Sequence, residues 1–256
     1  MTETSTNITL DLFLGGKLRI FQPNAGYRAG IDPVLLAASL PVKAGERVLE
    51  LGCGVGVASL CLMRRVSGVD VSGIEFNPKL ADLARRNGRE NGLALHIFDG
   101  DICDMPRDLL TESFDHVMAN PPYFDRSRGS RSEDQDRERS RGEAMPISVW
   151  VSTAARRVKP KGYVHFIFPT ERLADLLAAL PNYMGNVQVI PFVPRPGRGS
   201  ELMILRARHS GRAPFKLLPQ IALHRAQEHV KDGDDYTVQV SRVLRDGLGL
   251  FQAKIR

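Results

Sequence analysis

Short apolar runs alternate with amphipathic segments through the middle of the chain. Apolar runs of about four to eight residues are typical of buried strands, and apolar positions three or four residues apart are typical of helices. On these criteria strands are predicted over residues 47–51, 70–76, 95–98, 114–119, 163–168, 187–193 and 202–207, and helices over 57–66, 78–91, 147–158 and 171–180. This alternation predicts an α/β fold with a mostly parallel seven-stranded sheet and helices on both faces.

Three segments depart from this alternation. No helix pattern separates the last two predicted strands, so residues 194–200 are expected to join them as an antiparallel pair. Before the first strand, Gly15 and Gly16 lie between apolar alternations over 10–22, which predicts a small amino-terminal hairpin. Residues 126–142 contain six arginines, four acids and almost no apolar side chain, and this composition predicts a mobile loop.

The length of 256 residues fits one large domain with small additions. We expect a hairpin extension over residues 1–40, the main domain over 41–210, and a carboxy-terminal extension packed on it over 211–256. No apolar run approaches the roughly 18 residues needed to cross a bilayer, and residues 1–9 lack the apolar stretch of a secretory signal. These features predict a cytoplasmic protein that does not contact a membrane, and they leave the oligomeric state open.

Cysteine, histidine and net charge exclude some classes of protein. The three cysteines, Cys53, Cys61 and Cys103, have neither an even number nor Cys-x-x-Cys spacing, so neither a disulfide framework nor a zinc site is indicated. The closest histidines, His224 and His229, do not match a familiar metal motif. No metal is therefore expected. A net charge of +6 is compatible with a polyanionic partner such as RNA, although many basic proteins bind no nucleic acid.

A glycine-rich loop follows the first predicted strand of the sheet. Residues 50–56 read ELGCGVG and lead into a helix, where glycines let a ligand approach outward-pointing amides. The fingerprint of redox dinucleotide sites needs glycine at position 57, which is valine here, and this departure favours a methyl donor over NAD. Glu50, Gly52 and Gly54 are therefore candidate cofactor-binding residues. A tight turn without a ligand is the alternative interpretation.

Two acidic residues follow the next strands and extend the candidate cofactor site. Glu75 ends the second strand, where a carboxylate can accept hydrogen bonds from both ribose hydroxyls of a nucleotide. Asp101 follows the third strand, where it is placed to accept the adenine amino group of a cofactor, but a simple turn cap explains it almost as well. Together with the glycine loop, these positions predict a nucleoside-containing cofactor.

The fourth strand is followed by Asn120, Pro121, Pro122 and Tyr123, which we assign as candidate catalytic residues. An exocyclic amino group is a poor nucleophile because its lone pair is delocalised into the ring. The Asn120 side-chain oxygen and the Pro121 carbonyl can accept its two N–H groups and turn the lone pair toward a methyl donor. The proline rings restrict the backbone of these acceptors, and Tyr123 offers a face on which an extruded base stacks. A Pro-Pro turn with a core tyrosine is the structural alternative.

Taken together, these residues resemble the Rossmann-like class I methyltransferases, in the branch that methylates amino groups. Three segments carry a closer likeness, namely residues 22–36, 73–78 and 120–124. They resemble the bacterial tRNA adenine-N6 methyltransferase family that modifies valine tRNA beside the anticodon. The likeness covers roughly residues 10–205, and the 126–142 segment has no firm counterpart in the family pattern.

The resemblance implies a cofactor, a substrate and two further site residues. The cofactor would be S-adenosylmethionine, which leaves as S-adenosylhomocysteine, and no metal would take part. The substrate would be the 6-amino group of adenine in RNA, in particular tRNA near its anticodon. Tyr27 and Arg28 would help to close the cofactor site, although the end of a structural hairpin is an equally good explanation for them.

Two other functions are compatible with parts of the sequence. Protein-glutamine methyltransferases of the release-factor type use the same motif on a planar amide, but they resemble fusions with an amino-terminal helical domain. Only about 46 residues precede the cofactor strand here, and they look like a hairpin. A non-catalytic RNA-binding protein that keeps the fold would explain the basic charge. It would not explain the intact cofactor elements.

Overall fold

The computed structural model of the protein describes residues 8–25, 28–122, 145–225 and 235–252. Tyr27, Tyr123 and the arginine-rich segment 126–142 lie outside the described residues, so what the sequence predicts for them stays a prediction. Within the described ranges, no helix combines the length and apolar character that crossing a bilayer requires.

Strands and helices follow one another in the predicted order. The strands are β1 (Ile8–Phe13), β2 (Leu18–Pro23), β3 (Arg47–Leu51), β4 (Asp70–Glu75), β5 (His96–Asp99), β6 (Phe114–Ala119), β7 (Val158–Pro169), β8 (Met184–Val193), β9 (Leu202–His209), β10 (Lys216–Leu217) and β11 (Ile221–Ala222). The helices are α1 (Asp32–Ser39), α2 (Val57–Arg65), α3 (Pro78–Glu90), α4 (Arg107–Leu110), α5 (Ile147–Arg157), α6 (Leu173–Ala179) and α7 (Val238–Ser241). The largest difference in bounds is at β7, which begins at Val158 instead of residue 163 because its polar first residues form no apolar run.

The main sheet confirms the predicted α/β class. Its strands run in the order β10-β8-β9-β7-β6-β3-β4-β5, and β11 also pairs with β8. Pairs among β3 to β7 are parallel, whereas β9 is antiparallel to both β7 and β8. Among the described residues the sheet has nine strands rather than seven, because it also contains β10 and β11, which are two residues long and too short to give an apolar run. β1 and β2 form the separate antiparallel hairpin that the glycine pair indicated.

Helix α1 is the longest element that the hydrophobic pattern does not predict. Seven of its eight residues are buried, so apolar side chains surround the helix and leave no polar face. A helix of this kind has no 3.6-residue alternation to detect. It begins with Asp32 and Pro33, a proline position that suits the first turn.

The core forms two clusters of buried side chains, one on each face of the sheet. One of them contains Leu18 and Ile20 from the hairpin together with Val240 and Leu250 from the carboxy-terminal segment. The described parts of both terminal segments thus pack into the same core as α1 and α2. The division into residues 1–40, 41–210 and 211–256 stays a prediction.

Candidate active site

Three neighbouring strands end side by side at the carboxyl edge of the sheet. In the register of the sheet, Leu51 of β3 pairs with Ile74 of β4 and with Ala119 of β6. The residues that follow these three are Gly52, Glu75 and Asn120. Because ligands of open α/β sheets bind beyond the carboxyl ends of the strands, these predicted site residues meet where a ligand is expected.

The glycine loop between β3 and α2 has a backbone that other residues adopt at a cost. Gly52, Gly54 and Gly56 have φ values of +62°, +55° and +85°, all in the left-handed region. A Cβ atom at Gly52 would lie 2.7 Å from the ring of Trp150, so the loop packs closely on α5 there. At Gly54 no atom lies within 4 Å of the Cβ position. The loop is therefore tight on its protein side and open at Gly54.

The carboxylate of Glu75 connects β4 to this loop. Glu75 is 9% exposed. Its Oε2 accepts a hydrogen bond from the Gly54 amide at 2.8 Å, and its Oε1 accepts one from the Asn77 amide at 2.9 Å. This position beside the loop is compatible with the predicted contact to a ribose, which stays a prediction.

A cavity of about 430 Å³, partly open to solvent, lies over these strand ends. Its walls are formed by the hairpin, the segment that leads into α1, the ends of β3 and β6, the glycine loop, and the first turns of α1, α2 and α3. The residues are Gln22, Ala29, Pro33, Glu50, Gly52, Cys53, Gly54, Val55, Val57, Ala58, Leu80 and Asn120. The mixed polar and apolar walls suit a nucleoside that carries an amino-acid chain.

Glu50 is a buried acid in the wall of this cavity. It is 3% exposed, and its Oε2 accepts hydrogen bonds from the amide of Ser59 at 3.0 Å and from the Ser59 hydroxyl. Burial raises the pKa of Glu50 from 4.5 to about 8, and the Ser59 bonds oppose this only in part. At neutral pH the cavity therefore contains a protonated carboxyl group at this position.

One residue of the predicted catalytic motif, Asn120, lines the cavity. Asn120 is half-buried and follows β6, the strand that pairs with β3 beside the glycine loop. Pro121 is buried and Pro122 is exposed. Asn120 and the glycine loop thus line one cavity, while the catalytic roles of Asn120, Pro121, Pro122 and Tyr123 stay predictions.

Arg28 contacts the hairpin rather than the cavity wall. Its guanidinium donates to Asp11 at 2.5 Å, to the Thr9 hydroxyl at 2.6 Å and to the Pro23 carbonyl at 3.2 Å. Arg28 is absent from the cavity wall, which the adjacent Ala29 lines. These bonds suit a residue that positions the segment before α1, and direct cofactor binding by Arg28 stays a prediction.

Asp101 caps a turn after β5. Its Oδ1 accepts a hydrogen bond from the Cys103 amide at 2.8 Å. This bond is the turn cap that the sequence offers as the alternative explanation for Asp101. Asp101 is half-buried and does not line the cavity. The turn accounts for this carboxylate, and its predicted contact with an adenine stays untested.

Gln22 is a cavity residue for which the sequence predicted no role. It is 1% exposed, its Oε1 accepts the Ala29 amide at 2.9 Å, and its Nε2 donates to Asp11 at 2.7 Å. Leu18 and Ile20 precede it at alternate, buried positions of β2. A polar residue in a buried register of a strand is unusual, and this signal was available in the sequence.

In the part of the chain that the structure describes, no three histidine, cysteine or acidic side chains are grouped so that they could hold a metal ion. Cys53 and Cys61 are buried free thiols, and Cys103 is exposed. Burial raises the pKa of the Cys61 thiol well above its usual range. The buried thiols are therefore protonated packing residues.

Comparison with known proteins gives a consistent result. A family model described as the methyltransferase small domain matches residues 28–134. The tRNA1(Val) (adenine(37)-N6)-methyltransferase of Porphyromonas gingivalis W83 is 31% identical over 175 residues, which are 65% of this chain and 68% of that protein. The protein of the same name from Yersinia enterocolitica is 28% identical over 197 residues, covering 75% of this chain and 77% of its own length.

A solved structure supports the fold independently. The crystal structure of a predicted O-methyltransferase from Agrobacterium tumefaciens aligns with a TM-score of 0.68 and covers 84% of this chain and 96% of its own. The two sequences are 22% identical, so the likeness concerns the fold alone.

Proposed function

Because the chain belongs to the tRNA1(Val) (adenine(37)-N6)-methyltransferase family, we propose that it methylates the 6-amino group of an adenine in RNA. It is an S-adenosylmethionine-dependent N-methyltransferase. The finer proposal is a tRNA substrate with the target adenine beside the anticodon, as the names of the relatives indicate for those proteins. A tRNA substrate would place the reaction in the cytoplasm. The observation that carries the proposal is that Asn120 and the glycine loop line one cavity.

The residues in and beside the cavity fit S-adenosylmethionine; Glu75 does not line the cavity but bonds to the amide of Gly54, which does. We propose that Glu75 binds the ribose, and that Gly52 and Gly54 let the cofactor approach the loop backbone. Glu50 lines the same cavity and is assigned to the cofactor wall. Tyr27, Arg28 and Asp101 remain candidates for the surrounding contacts, with Arg28 acting through the hairpin.

The chain's own residues account for the activation of the amino group. The Asn120 side-chain oxygen and the Pro121 carbonyl accept its two N–H groups, which localises the nitrogen lone pair. Pro122 restricts the backbone that carries these acceptors, and Tyr123 stacks on the extruded adenine. When bound, S-adenosylmethionine supplies an electrophilic methyl group. The sulfonium would leave as S-adenosylhomocysteine, and the proton of the methylated nitrogen would pass to water, so none of the named residues has to act as a base.

The function is tested by incubating the protein with labelled S-adenosylmethionine and total undermodified tRNA. We expect label in N6-methyladenosine, identified by mass spectrometry of the nucleosides. A parallel incubation with a peptide release factor tests the glutamine alternative, and label in that protein with none in the RNA would refute the proposal. A thermal shift with S-adenosylhomocysteine tests the non-catalytic alternative, since a pure RNA binder shows no stabilisation by this ligand.

We expect Glu75→Gln to raise the Kd for S-adenosylhomocysteine about 10- to 100-fold, the range for losing hydrogen bonds to a charged group. The amide keeps the shape of the carboxyl group, but it cannot accept on both of its terminal atoms. Titration calorimetry measures the effect. Glu112→Gln is the control, because Glu112 pairs with Arg47 at the opposite end of β3. An unchanged Kd for Glu75→Gln would remove this residue from the cofactor site.

The open side of the glycine loop gives a second prediction. We expect Gly54→Ala to raise the Kd for S-adenosylhomocysteine at least about tenfold, because the new methyl group stands where the cavity admits a ligand. Gly45→Ala is a matched control: Gly45 also has a positive φ (+82°) and an open Cβ position, but it precedes β3 at the opposite edge. Both variants lose about 1–2 kcal/mol of stability through strain. Equal cofactor affinities for the two variants would contradict the prediction.

A further inference from the structure

Two asparagines, Asn87 in α3 and Asn91 just after it, form the same pair of hydrogen bonds to the backbone of β2 that a neighbouring strand would form. Asn87 Oδ1 accepts the Phe21 amide at 2.8 Å, and its Nδ2 donates to the Phe21 carbonyl at 3.1 Å. Asn91, which follows the helix, makes the same pair with Arg19, at 2.9 and 2.8 Å. Four helical residues rise about 6 Å and two strand residues about 6.8 Å, so the two spacings match.

Asn87 makes one contact that Asn91 does not make. Its Nδ2 also donates to the carbonyl of Val55, at 2.9 Å, in the glycine loop. The corresponding second bond of Asn91 goes to the Asn87 carbonyl within the helix end. Asn87 is fully buried, at 0% exposure. One amide therefore connects the hairpin to the loop, and its two donors are used in doing so.

The two backbones that Asn87 connects both contribute residues to the cavity wall. Val55 lines the cavity on the loop side, and Gln22, next to Phe21, lines it on the hairpin side. The Oε1 of Gln22 in turn accepts the Ala29 amide, which brings a third wall residue into the same network. The hydrogen bonds of Asn87 to Phe21 and Val55 therefore fix the distance between the hairpin backbone and the loop backbone.

We infer that Asn87 is a positioning residue for the cofactor: it holds the hairpin wall and the glycine loop at the separation that the cofactor requires. The inference concerns cofactor binding and is independent of which nucleotide or amide accepts the methyl group. Asn91 has a different role, because it attaches the hairpin to the end of α3 and makes no bond to the glycine loop. The two residues thus form a matched pair, because they share the contact to β2 and differ in the contact to the loop.

The experiment compares Asn87→Ala with Asn91→Ala in the full-length protein. We expect Asn87→Ala to raise the Kd for S-adenosylhomocysteine about tenfold or more, since it leaves a loop carbonyl and a strand amide unsatisfied. We expect Asn91→Ala to change this Kd less than about threefold while lowering Tm comparably. At saturating S-adenosylmethionine, kcat of both variants should stay within about threefold of wild type, so the effect is on cofactor KM.

The inference is overturned if the two variants lose cofactor affinity equally, because the bond from Asn87 to the loop would then contribute nothing to that affinity. A measurement on the wild-type protein covers the case in which Asn87→Ala fails to fold. In the wild-type protein, S-adenosylhomocysteine should slow hydrogen exchange of the Phe21 amide, which donates to Asn87 Oδ1 and is next to the cavity residue Gln22. Exchange at Phe21 that does not respond to the ligand would equally overturn the inference.

Discussion

Asn120→Ala is expected to lower kcat about 100- to 1,000-fold, the range observed when a preorganised hydrogen-bonding group is removed from an active site. The side-chain oxygen acts on the amino group of the substrate, so its loss leaves the lone pair delocalised in the ring. The Kd for S-adenosylhomocysteine should stay within about threefold, because no assigned cofactor contact is removed. Single-turnover methylation of tRNA and titration calorimetry measure the two quantities separately.

Asn182→Ala provides the control for this experiment. Asn182 is exposed and precedes β8 at the amino end of that strand, so it lies at the opposite edge of the sheet from Asn120. Its replacement should leave both constants unchanged. Near-normal turnover in Asn120→Ala would refute the role that we assign to the motif, whatever the affinity for the cofactor.

Glu50 is expected to make the stability of the ligand-free protein depend on pH. Its pKa rises from 4.5 to about 8 in the folded state because of burial. Folding therefore takes up a proton between these two values. The resulting stabilisation is complete below about pH 4.5 and is lost as the pH rises through about 8, with a slope of at most about 1.4 kcal/mol per pH unit. Between about pH 5 and about pH 8, the free energy of unfolding of the wild-type protein should fall by roughly 3 kcal/mol relative to that of Glu50→Gln.

Urea unfolding at a series of pH values tests this expectation. Glu50→Gln keeps the shape of the side chain but has no proton to lose, so its own stability should be less sensitive to pH across this range. Glu112→Gln, which changes a half-exposed acid at the other end of β3, should retain the wild-type slope. Parallel curves for wild type and Glu50→Gln would show that Glu50 is ionised in the folded protein.

The sequence predicts the sheet and the meeting of its strand ends because both depend on short-range signals. The β3, β4 and β6 strands are short segments rich in apolar residues, and they end at or just before a glycine, an acid and an asparagine. Strand pairing in parallel register then brings Gly52, Glu75 and Asn120 together without further information. Once the topology is recognised, the location of the site follows from it.

Contacts between distant segments are harder to predict from the sequence. Asn87 reads as an ordinary polar residue of an amphipathic helix, yet it is fully buried because β2 and the glycine loop close over it. Gln22 stands out in the sequence as a polar residue in a buried register of β2, but its bonds to Asp11 and Ala29 depend on the folded hairpin. The resemblance places Arg28 beside the cofactor, whereas its ion pair with Asp11 depends on how the hairpin folds. Such side chains depend on tertiary packing, which no local pattern contains.

The hydrogen bonds from Gly54 and Asn77 to Glu75 have a consequence for how quickly and tightly the cofactor is captured. They fix the bend after β3 through contacts within the chain itself. The entropy of ordering that bend is therefore lost when the chain folds and is not subtracted again from the binding free energy of the cofactor.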